Sequence, residues 1–122
     1  MYEIVEDRER GLLLITLSGF WDEDEFDRYA ADLTEASRRM GRLLRGRLLD
    51  CRSLSVQAPA VAQRFQSAVA VLDAAFTPFT ALILTASLAR LQGQRVFPGT
   101  ERMRWFLDEA EALDWLITAH DR

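Results

Sequence analysis

Apolar positions along the chain switch repeatedly between two periods, and each switch predicts an element. Residues 2–6 read as a short strand. The charged run Asp7–Gly11 reads as a turn, and Leu12–Leu17 is an apolar run that predicts a second, well-buried strand. Two strands joined by so short a turn are expected to be antiparallel. Phe26, Tyr29, Ala30, Leu33, Ala36 and Met40 then recur every three or four residues, which predicts a helix with one apolar face. Asp22 supplies its N-cap, Glu25 completes a capping box, and Gly41 supplies the stop.

The second half repeats this alternation. Gly46–Cys51 predicts a third strand and Arg52–Gln57 a loop. Pro59 suits the first turn of a second helix, with Val61, Phe65, Ala68, Val69 and Leu72 facing inward. A turn at Thr77-Pro78 leads to a fourth strand, Phe79–Thr85. Ser87 is placed to cap a shorter third helix running through Leu88 and Leu91 toward Val96, weakened by Gly93 and ended by Pro98-Gly99. Arg102–Phe106 alternates as a fifth strand with Met103 and Trp105 on one side. Asp108 and Glu111 form a second capping-box pair before a helix built on Ala112, Leu113, Leu116 and Ile117. The order β-β-α-β-α-β-α-β-α predicts an α/β protein with a mixed, mainly parallel five-stranded sheet and four helices, the first strand being an antiparallel addition. No repeat, linker or low-complexity segment divides residues 1–122, so one domain is expected.

Composition narrows the partners. A chain of 122 residues buries a core without disulfides or a structural metal, and a net charge of −4 argues against nucleic acid, whose partners carry a basic stripe. All fifteen basic residues are Arg, and neither Lys nor Asn occurs. Most Arg residues have acidic neighbours, and the bias reads as coding preference more than as anion recognition. The cluster Arg38, Arg39, Arg42, Arg45 and Arg47 is the exception. It reads as a helix C-terminus followed by a solvated loop, with an acidic-partner surface as the alternative. The run Ala68–Ala89 is apolar enough to raise the question of a membrane span. Asp73 and Pro78 interrupt it, and no transmembrane segment is expected. The opening residues lack the basic and apolar regions of a signal peptide, so a cytoplasmic location is expected.

Several chemistries lack their parts. The single His120 lies near the end of the last helix, and the single Cys51 reads as a small buried hydrophobe beside Asp50. Neither a Ser-His-Asp nor a Cys-His set is expected, and no metal site or cofactor. The acids Asp22–Glu25 are consecutive on a helix, so they diverge; they complement the helix dipole and do not converge on an ion. Gly41 and Gly46 match a phosphate loop in spacing, but Arg47-Leu48 follows where Lys-Ser/Thr is needed, and a strand follows where a helix is needed. Trp105 and Trp115 read as packing residues.

Three segments resemble the STAS-like group, and within it the SpoIIAA-like proteins. They are Leu14–Gly19 followed by Trp21 and an acidic helix, Arg47–Asp50 before a loop, and Met103–Phe106 followed by Asp108–Leu116. The last is similar to a closing "EAlxWL" helix. The resemblance implies a stand-alone, non-enzymatic regulatory or protein-interaction module. Anti-sigma-factor antagonists carry a phosphorylatable Asp-Ser motif at the start of the second helix; here Val56–Val61 has no Asp, Ser or Gly, and Pro59 stands within it. Ser53 and Ser55 on the preceding loop are therefore the candidate phosphorylation sites, with turn closure as the competing role. The expected working surface is the carboxyl edge of the parallel strands, bearing Trp21, Asp22, Asp50, Ser53, Ser55, Thr85 and Ser87. A regulatory protein, a homodimer and a hydrophobic small ligand stay open as partners. The last follows from the apolar run and from the similarity of the SpoIIAA-like fold to lipid-binding CRAL-TRIO domains, and it makes a small-molecule or lipid carrier the alternative function.

Overall fold

The computed structural model describes residues 1–75, 79–88 and 102–120. Strand β1 (Tyr2–Asp7) and strand β2 (Leu12–Gly19) form the expected antiparallel hairpin, Tyr2 opposite Leu17 and Asp7 opposite Leu12. Asp7 closes the turn by accepting from the Arg10 backbone N–H at 3.0 Å, and that contact lowers its carboxyl pKa. Helix α1 (Glu23–Met40) starts on Asp22, whose side chain accepts from the Glu25 amide at 2.7 Å. It ends at Gly41, which is left-handed at φ +52° and leads through a 3-10 turn, Gly41–Leu43, into strand β3 (Gly46–Leu54). Helix α2 (Pro59–Ala75), strand β4 (Phe79–Ile83), a helical turn at Ala86–Leu88, strand β5 (Met103–Phe106) and helix α3 (Glu109–His120) complete the chain.

The sheet order is β1-β2-β3-β4-β5, with every pair after the hairpin parallel. Alternation along the strands sorts side chains to the two faces. Leu13, Ile15, Leu17, Leu49, Cys51 and Leu82 face α1 and α2. Leu12, Leu48, Ala81 and Ile83 face α3, where they meet Ala112 and Leu116. On the first face Tyr2, Trp21, Phe26, Tyr29 and Phe65 form one ring cluster with centroid separations between 4.8 and 6.2 Å. Edge-to-face and tilted contacts of this kind add to the burial of the rings themselves.

The structure departs from expectation in three places. Strand β3 continues through Arg52, Ser53 and Leu54, where a loop is expected, because a register shift between Thr16 and Ser18 lets Ser53 pair with Ser18 and Leu54 with Gly19. Arg47 does not belong to a solvated cluster: it is buried on the α1 face and donates to Ser37 Oγ at 3.2 Å. Burial depresses its guanidinium pKa. Trp105 is 37% exposed, not core, because β5 is an edge strand with only its Met103 turned fully inward. Trp115 instead packs, half-buried, against Phe79 and Phe106, with the Arg104 guanidinium 5.5 Å from its ring. The helix expected from Ser87 toward Val96 is described only at its first turn; its remainder, and the turn at Thr77-Pro78, lie outside the described residues. Three helices are therefore described where four are expected.

Candidate functional site

The carboxyl ends of β2, β3, β4 and β5 form one row, and the loops that leave them carry the candidate residues. Gln57 organises two of these loops. Its Oε1 accepts from the Trp21 amide at 2.9 Å, and its Nε2 donates to Gly19 O at 2.9 Å and Ser55 O at 2.6 Å. The Ser55 amide also donates to Gly19 O at 3.1 Å. One buried carboxamide thus ties the β2–α1 loop to the β3–α2 loop, with donor and acceptor both used. Ser18 pins the first loop from the other side: its carbonyl accepts from the Trp21 indole at 2.7 Å, and its amide donates to Met1 O at 2.8 Å. Gly19 at φ +83° makes the turn that these contacts require.

That geometry corrects the expectation for Trp21. The indole is 1% exposed and lies among Tyr2, Tyr29 and Phe65, so it anchors the loop in the core. Its neighbour Phe20 is the aromatic that faces solvent, 65% exposed. Val56, on the adjoining loop, and Leu107, after β5, are exposed as well. Asp22 is at the edge but occupied as a helix cap. Asp50 is bound by Arg52 through two guanidinium nitrogens at 2.9 and 2.8 Å, and this holds its carboxyl pKa below the ordinary value. Arg52 also lies 3.9 Å from Glu109. Ser53, Ser55, Thr85 and Ser87 are all exposed along the same edge.

Cys51 is buried one residue below, in contact with the apolar cluster, and burial pushes its thiol up to about 12. A thiol so protonated is no nucleophile in the native fold. The His120 side chain lies outside the described residues. Among the described residues no group of three or more His, Cys, Asp or Glu side chains could hold a metal ion, and no helix is long and apolar enough to cross a membrane.

An antiparallel first strand added to a parallel sheet in chain order, with α1 and α2 on one face and α3 on the other, is a SpoIIAA-like fold. The solved structure of an uncharacterised DUF3478-family protein with that fold, from Shewanella loihica PV-4, matches 95% of this chain and 92% of its own. The TM-score is 0.63 and the sequences are 17% identical, a likeness that shows the fold. No family model matches the chain, and no curated protein matches it.

Proposed function

We propose that this chain is a non-enzymatic, regulatory protein-interaction module of STAS-like type, folded as one domain, and that it works through the carboxyl edge of its sheet. The observation that carries the reading is Phe20: a large aromatic side chain turned to solvent on a loop held by Gln57, Ser18 and the buried Trp21. A mobile loop could fold such a ring away. This one is fixed outward, which removes the ordering cost that a partner would otherwise meet on binding. The exposed Ser53 and Ser55 beside it are where a phosphate would alter that surface's charge.

The test is capture from a lysate of the source organism with the wild-type protein and with a Phe20→Ser, Val56→Ser variant as baits. Partners retained by the first and lost by the second support the reading. No specific partner, or the same partners on both baits, overturns it. The carrier alternative draws on the apolar run 68–89, of which residues 76–78 and 89 lie outside the described residues, and in the described ring cluster the side chains pack against one another.

A further inference from the structure

The exposed apolar residues of the carboxyl edge sit between two acidic helix starts. Helix α1 begins beside Phe20 with Glu23 and Asp24 outward, on one face of the sheet. Helix α3 begins beside Leu107 with Glu109 and Glu111 outward, on the other. Helix capping does not account for these four residues, because Asp22 and Asp108 already accept from the Glu25 and Glu111 amides at 2.7 and 3.0 Å. They complement the helix dipole, but it offers only about half a positive charge at each N-terminus and leaves most of their charge uncompensated. Among the described residues the nearby cations are outnumbered: Arg52 is shared by Asp50 and Glu109, and Arg64 by Asp27 and Glu23, which leaves Asp24 and Glu111 without an ion pair. The opposite, amino edge has the reverse character. There Arg42 and Arg45 flank the exposed Leu43, and among the described residues neither forms an ion pair.

Resting on the interaction reading above, we infer that the occupant of the carboxyl edge is a cationic polypeptide segment bearing large apolar side chains. Its apolar residues would pack on Phe20 and Val56, which the Ser55–Gly19 hydrogen bond holds on neighbouring loops. Its Arg or Lys residues would face the two acidic helix starts on either side. A polar approach of this kind orients the partner before contact and disfavours acidic competitors. A neutral apolar partner would leave Asp24 and Glu111 to be desolvated without compensation, and an acidic one would meet like charge.

A random peptide library displayed on phage tests this, with selection on the wild-type protein and removal of peptides that bind the Phe20→Ser variant. The expected survivors carry net positive charge and at least one Leu, Met, Phe or Trp. Synthesised and labelled, they should bind wild type with an affinity that falls as salt rises. Phe20→Ser should weaken them by about tenfold, as for an interface anchor. Asp24→Arg should weaken them and flatten the salt dependence, and Arg42→Glu on the opposite edge should leave them unchanged. Circular dichroism establishes that each variant is folded, and Val56→Ser gives a second reading of the apolar contact. Recovery of neutral or acidic peptides, or of none, overturns the cationic partner. If lysate partners still depend on Phe20 in that case, the interaction reading stands and only the partner's chemistry is wrong.

Discussion

Beneath α1 and α2 the sheet is covered from β1 to β5 by a single cluster running from Tyr2 and Ile4 to Met103. Beneath α3 the covered strip is narrower: Leu12, Leu48, Ala81 and Ile83 meet one helix, while Val5, Glu3 and Thr16 at the hairpin end remain open to solvent. The first face is thick, built on five packed rings and tied by polar contacts to the carboxyl edge; the second is thinner, an aliphatic strip flanked by the half-buried Phe79, Phe106 and Trp115. The difference assigns them different work. The thick face carries more of the stability of the fold and holds the loops of the carboxyl edge in place, whereas the thin face closes the sheet.

The largest expected effect is on the thick face. Phe65→Ala removes a ring that touches Trp21, Phe26 and Tyr29, and should lower the unfolding free energy by about 4 kcal/mol in urea titration. Leu116→Ala, which is equally buried but on the thin face, should lower it by about 2.5 kcal/mol. An equal or larger loss at Leu116 would break the comparison. Gln57→Ala leaves the Trp21 amide and the Gly19 and Ser55 carbonyls short of a partner, and should cost about 2 kcal/mol. Amide exchange at Trp21 should quicken more than exchange in β3.

The next effect depends on pH. Burial keeps the Cys51 thiol protonated in the native fold up to about 12, whereas the unfolded chain releases its proton from about 9. The native state therefore binds more protons between these values, and stability falls as pH rises through them, by at most about 1.4 kcal/mol per pH unit. Tyr29, whose phenol is also raised by burial, acts in the same direction at higher pH. Cys51→Ala should remove the loss between pH 9 and about pH 10, where Tyr29 has yet to contribute; an unchanged slope would mean that the thiol is not shielded as described. The smallest effect belongs to the open end of the thin face. Val5→Thr should change stability by no more than about 0.5 kcal/mol, and a larger loss would show that this strip is covered.

Much of the frame is legible in the sequence. The apolar run Leu12–Leu17, the periodic face of α1, and the caps at Asp22 and Asp108 place those elements within a residue or two of where they lie. What is not legible depends on tertiary context. Arg52 and Ser53 have the composition of a loop, and only the register shift against β2 keeps them in the strand. Phe20 and Trp21 are adjacent aromatics, and no periodicity says which one turns inward; the answer lies in the room between Tyr29 and Phe65 and in the hydrogen bond from the indole to Ser18. Gln57 reads as an ordinary loop residue, yet three backbone groups converge on it. Arg47 sits in an apolar run, where its guanidinium suggests solvent and its position on β3 dictates burial.

The sheet also carries an order in time. Each strand lies beside the one that precedes it in the chain, so every pairing spans a tight hairpin or a single crossover segment. Keeping partners near in sequence limits the loop closure that folding must accomplish and favours rapid assembly. A polypeptide still emerging from the ribosome meets its docking strand already in place. Each new unit is laid on the growing edge, and no strand has to be threaded between two that have already joined.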